Sequence, residues 1–104
     1  MIHPTRIKVI PAGKGFQVMC QIQHPMENGS VSDQQSGRAK DANYITRLEF
    51  RLNDEVQAEM LLGPHVSANP VLGTYFAIIG KGDTVSVSWQ DMAGNSGNAS
   101  QILS

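Results

Sequence analysis

One cysteine, three histidines and a serine close to a histidine are the side chains with which this chain could do covalent or metal chemistry. A nucleophilic thiol needs access and a stabilised thiolate. Cys20 instead falls in the middle of an alternating run, on the side shared by Phe16, Val18 and Ile22, where a cysteine behaves as a small hydrophobe. His3, His24 and His65 lack the close spacing of a local metal clip. His24 and His65 each adjoin a proline, and a fold can bring two such loops together, but the simpler role of either ring is to hydrogen-bond loop backbone and fix its shape. Ser67 lies two residues from His65 without a nucleophile elbow or an acid in register. Asp54 and Glu55 sit where a hairpin tip is expected, a place for solvated charge. No glycine-rich loop precedes a helix to cradle phosphate. No catalytic residue, no metal site and no cofactor is expected from these side chains.

Two short polar segments are more informative: His24-Pro25-Met26-Glu27-Asn28-Gly29 and Gly63-Pro64-His65-Val66-Ser67-Ala68-Asn69-Pro70. Pro64 and Pro70 prevent a regular ladder or helix between them. Ser67 and Asn69 can hydrogen-bond their own loop backbone, and a residue before proline is pushed extended. The product is a stiff, shaped loop. Such a loop loses little entropy on docking, which suits recognition, and it equally well makes a sharp connection.

The elements that position these segments alternate with a period of two. Ile7 and Val9 share one face of an opening strand over residues 6–10, and residues 11–15 turn the chain. Phe16, Val18, Cys20 and Ile22 point one way, with Gln17, Met19, Gln21 and Gln23 opposite, the pattern of a half-buried antiparallel strand. A polar stretch through residue 43 is too long for a tight hairpin. Order returns at Ile45, with Leu48, Phe50 and Leu52 inward. Asn53-Asp54 makes a two-residue hairpin, because both types tolerate positive φ. The return strand, residues 55–61, places Val56, Ala58 and Met60 inward. Residues 71–79 are apolar nearly throughout and read as a strand covered on both faces. Turns at 81–83 and 93–95 bracket a strand with Val85, Val87 and Trp89 inward, and a weaker strand closes the chain over 97–103. About seven short strands without a helix make an all-β, immunoglobulin-like antiparallel β-sandwich, a single domain over residues 1–104, with Trp89 filling the centre.

Composition narrows the partners. Of the 104 residues, 40% are hydrophobic and 16% charged, enough apolar surface for one core and too much for a disordered chain. The net charge is −1, and the eight Lys and Arg residues are scattered, which disfavours nucleic acid and a polybasic membrane site. No apolar run is long enough to span a membrane as a helix. One cysteine allows no internal disulfide.

The segment from His24 to Gly29, residues 45–50 with the Asn53-Asp54-Glu55 hairpin, Ser67-Ala68-Asn69-Pro70, and residues 85–94 with Trp89 followed by Asp91 and a glycine turn together resemble the SoxZ family of the sulfur-oxidation (Sox) carrier complex. The resemblance runs from about residue 7 to 102. Asn28 stands where the family commonly has threonine, and Asp54 where it commonly has glycine. The resemblance implies a non-catalytic subunit that binds SoxY, whose cysteine-bearing arm carries sulfur intermediates between thiosulfate-oxidising enzymes, and helps to present that arm. The Gly-Gly-Cys-Gly-Gly arm is absent here, so the expectation is the Z partner, located in the periplasm by co-export with a leader-bearing SoxY, in transient contact with Sox enzymes and able to form a homodimer when isolated. The expected contacts are His24, Pro25, Met26, Glu27, Ser67, Ala68, Asn69 and Pro70, with Met19, Met26 and Leu61 as outward-leaning apolar contributors. Two alternatives remain beside it: a small β-sandwich enzyme using the Cys20 thiol, and a related carrier subunit serving another dehydrogenase or sulfur pathway.

Overall fold

The computed structural model describes residues 4–27, 42–77 and 80–103. His3, Asn28, Gly29, most of the long polar stretch, Ile78 and Ile79 lie outside the described residues. Among the described residues, seven strands form two antiparallel sheets: β1 (Thr5–Ala12), β2 (Gly15–Ile22), β3 (Ile45–Leu52), β4 (Glu55–Leu61), β5 (Val71–Phe76), β6 (Thr84–Asp91) and β7 (Ser96–Ile102). One sheet has the order β1-β2-β5 and the other β4-β3-β6-β7. The chain therefore crosses between sheets after β2, β4 and β5. Each crossing puts a strand beside one distant in sequence, β2 with β5 and β3 with β6, as in immunoglobulin-like sandwiches.

Alternation decides the core. Val18, Cys20 and Ile22 from β2 meet Leu48 and Phe50 from β3 and Val85, Val87 and Trp89 from β6, and all of them are buried. Fully burying such a side chain contributes about 1.5–3 kcal/mol, so these inward rows hold the two sheets together. Asn53 and Asp54 both take positive φ, 50° and 69°, as the two central positions of a type I′ hairpin require.

Two bulges shift the phase. Between Ile45 and Arg47 the β3–β6 register slips by one, so Ile45 and Leu48 both face the core although three positions apart. Between Phe50 and Arg51 the β3–β4 register slips, pairing Phe50 with Ala58 but Arg51 with Val56. That slip corrects the inward assignment of Val56. It shares the outward side of Arg51 and is exposed, while Ala58 and Met60 pack against the core.

The assignment of a doubly covered strand to residues 71–79 is also corrected. β5 is an edge strand of the three-stranded sheet, and its odd positions Val71 and Tyr75 are 55% and 50% exposed. An apolar run with aromatic and β-branched residues fits a covered strand and an edge strand with an apolar outer face equally well, and only the strand order separates them. Trp89 is buried, but its indole reaches sideways, Nε1 donating to Thr5 Oγ1 on β1 at 2.8 Å. Gly97 on β7 lets the ring pass, since a Cβ there would come within 2.6 Å of Nε1.

Candidate partner-binding rim

At one end of the sandwich, β2 leaves its sheet at Ile22 and β6 ends at Asp91. The inward alternation of each strand runs one step further than its apolar residues. Phe16, Val18, Cys20 and Ile22 are followed by His24, and Val85, Val87 and Trp89 by Asp91. The continuation drives an imidazole and a carboxylate into the space between the sheets, where both side chains are fully inaccessible to solvent. His24 Nε2 and Asp91 Oδ2 lie 2.8 Å apart. The backbone N–H of Met26 donates to His24 Nδ1 at 3.0 Å, so Nδ1 must be an acceptor and the ring proton sits on Nε2, donating to Asp91. Trp89 meets the imidazole edge to face at 5.7 Å.

Asp91 is also a turn former. Asn95 donates to it twice, from its backbone N–H to Oδ1 at 2.8 Å and from its side-chain Nδ2 to Oδ2 at 3.0 Å. Burial pushes the carboxyl upward, but hydrogen bonds from His24 and Asn95 outweigh it and hold Asp91 below the usual carboxylate range. One anion thus anchors the β6–β7 turn and, through His24, the loop that leaves β2.

That loop and the one before β5 are neighbours. The Asn69 N–H donates to the His24 carbonyl at 2.8 Å, and the Ile22 N–H to the Pro70 carbonyl at 3.2 Å. Asn69, the residue before Pro70, takes φ 54°, which corrects the extended conformation expected there; asparagine tolerates this left-handed region. Met26 also takes positive φ, 49°, and is buried with its sulfur accepting from the Ile45 N–H at 3.4 Å. Glu27 and Asn43 exchange two backbone hydrogen bonds at 2.8 and 2.7 Å. The Met92 and Ala93 amides then bond to the Tyr44 carbonyl and to Asn43 Oδ1. Segments 24–27, 42–44, 67–70 and 91–95 form a single hydrogen-bonded rim.

The eight residues singled out in the sequence fall together on this rim, in two classes. Pro25, Ser67, Ala68 and Asn69 are exposed and Glu27 is half-buried, so these present the surface. His24, Met26 and Pro70 are buried and set its shape. Met26 is therefore corrected from an outward-leaning residue to a member of the core, pulled in by its left-handed backbone. Leu61, by contrast, is 77% exposed. His65 is exposed, whereas His24 is committed to Asp91. Among the described residues no group of three His, Cys, Asp or Glu side chains gathers to hold a metal ion.

Cys20 is buried, and burial pushes its thiol up to about 11, with only the Leu72 backbone hydrogen bond acting the other way. The sulfur is thus a neutral thiol at physiological pH, which leaves it a poor nucleophile. Asp91 is the site residue that the sequence reading passed over. Its signal was the strand period itself, which places position 91 on the same face as 85, 87 and 89.

The family described as sulphur oxidation protein SoxZ matches residues 7–101 of the chain. No curated protein matches it.

Proposed function

The chain belongs to the SoxZ family of sulfur-oxidation subunits, and on that premise we propose that it is the non-catalytic partner of a SoxY-type carrier. It binds that carrier as a heterodimer and helps to present the carrier's cysteine-bearing arm to thiosulfate-oxidising enzymes. The rim formed by residues 24–27 and 67–70 contributes to the contact, the whole chain acts as one domain, and the complex works in the periplasm after co-export with the carrier.

The observation that carries this reading is the meeting of the two loops. They are far apart in sequence, yet they are joined by the Asn69–His24 hydrogen bond and pinned from beneath by a buried His24–Asp91 pair. Ordering a loop costs about 1–2 kcal/mol of backbone entropy per residue, and a rim already ordered by the fold is spared that cost on docking. The thiol-enzyme alternative is disfavoured by the burial of Cys20.

The test is co-expression of this chain with a SoxY-type protein, followed by purification and mass determination. A one-to-one complex is the expected result. Two folded chains that pass through the column separately would defeat the proposal.

A further inference from the structure

The outer faces of the two sheets differ in how their charges are arranged. On the four-stranded sheet, Arg47 pairs with Glu49 and with Glu59, and Arg51 with Glu49, beside Ser86, Ser88 and Ser100 of β6 and β7. The charges of this face pair with one another, and its exposed apolar groups, Val56, Leu61 and Ile102, stand on its two edge strands. The three-stranded sheet contains no Asp or Glu in any of its strands. Its register gives three outward rows: Arg6–Gln21–Val71 nearest the rim, then Lys8–Met19–Gly73, then Ile10–Gln17–Tyr75. Gly73 acts as a notch, with Met19 Cγ 3.4 Å from where its Cβ would stand. A depression of about 470 Å³ is lined in part by Arg6, Lys8, Ile10, Met19, Gln21 and Val71. Among the described residues no carboxylate pairs with Arg6 or Lys8.

We propose that the outer face of the β1-β2-β5 sheet is the seat of the carrier subunit, through an apolar contact on Met19, Val71 and Tyr75 and a group of carboxylates on the partner that meets Arg6 and Lys8. This rests on the function proposed above and assigns the surface and the partner's chemistry. Two arguments select the occupant. The first is charge: a face with two exposed cations and no anion on its strands complements an acidic surface and repels a second copy of itself set face to face. The second is area. Three strands at about 4.8 Å spacing and 3.3 Å rise offer roughly 350 Å² of flat sheet, less than half of the ~800 Å² that each side of a stable complex buries. The interface must therefore extend beyond the sheet. The rim continues the face through the chain, since Pro70 leads directly into Val71 and Ile22 leads through Gln23 to His24. Face and rim then make one docking surface.

The experiment titrates the SoxY-type partner with the wild-type chain, with the double variant Arg6→Glu/Lys8→Glu, with Met19→Asp, and with Ser100→Glu on the opposite sheet, at low and high salt. The double variant changes only exposed side chains and keeps a folded probe available if Met19→Asp unfolds. Expected are a loss of about tenfold or more in affinity for the double variant and for Met19→Asp, a weaker salt dependence for the double variant than for wild type, and no change for Ser100→Glu. Wild-type affinity in both face variants, with the complex intact, overturns this assignment and leaves the proposed function standing. No complex with the wild-type chain overturns both. Loss of self-association by the double variant, with partner affinity kept, gives the face to a second copy and overturns the assignment.

Discussion

The His24–Asp91 pair is the residue-scale feature on which the rim depends. A hydrogen bond to a charged group is worth about 1.5–3 kcal/mol, and Asp91 accepts three from two residues. An asparagine in its place offers one acceptor oxygen and turns its NH2 toward a group that already donates. The ring cannot adapt by moving its proton, because Nδ1 is needed by the Met26 amide. Asp91→Asn is expected to lower stability by about 2–3 kcal/mol at neutral pH, read from the urea midpoint. The pH dependence has a definite sign. A carboxyl held below its unfolded value stabilises the fold above that value, and the contribution is lost as pH falls through the folded one. The gap between wild type and Asp91→Asn therefore narrows below about pH 4, and a gap that stays constant into strong acid would show that the carboxylate charge is not what matters. Cys20 gives a second residue-scale expectation. Buried and protonated, it should react with a thiol reagent only at the rate of opening, and burst labelling of the native chain would reopen the enzyme reading.

At the scale of elements, the sandwich is closed on one side by an indole that leaves its own sheet. Trp89 on β6 crosses Gly97 on β7 and donates to Thr5 on β1, joining the edge strands of the two sheets. Position 97 has no room, because a methyl there would come within 2.6 Å of the indole nitrogen and 2.9 Å of the threonine oxygen. Gly97→Ala is expected to cost about 1–3 kcal/mol and to shift Trp89 fluorescence to the red, since the ring must move outward. An unchanged urea midpoint and emission maximum would show that β7 can yield instead. The alternating strands β2, β3 and β6 are legible in the sequence because a core on one side and solvent on the other impose a period of two. β4 and β5 are less legible for physical reasons. A bulge adds one residue to β4 and reverses the face of Val56 without leaving a mark in its composition. β5 looks buried because its outer face is apolar, although no other part of the described chain covers it.

At the scale of the whole molecule, the two ends of the sandwich are held by separate polar systems. The rim at one end hangs on Asp91. The other end is tied by Asn53, whose Oδ1 accepts from the Thr84 amide at 2.9 Å and whose Nδ2 donates to Asp83 at 3.1 Å. Asp83 also accepts from the Gly80 amide at 2.8 Å. Loss of the Asp91 charge is therefore expected to be felt at one end. In hydrogen exchange of Asp91→Asn under native conditions, the Met26, Asn69 and Asn95 amides lose protection together while Asn53 and Thr84 keep theirs. Equal loss at both ends would mean that the pair supports global stability and not the rim in particular.

The sequence by itself determined the class of fold, the inward rows of three strands, the type I′ hairpin, the structural character of Cys20 and the two loops that carry the family resemblance. Each of these is local, fixed by side-chain period or by the φ that one residue tolerates. Only the tertiary structure decided that the two loops are joined and that Asp91 lies beneath them. It likewise turned Met26 inward while Pro25 faces out, and left the acid-free face of β1, β2 and β5 uncovered by any other described residue. Those facts depend on which distant strands become neighbours, and a pattern of alternation records which side of a strand is buried without recording what it is buried against.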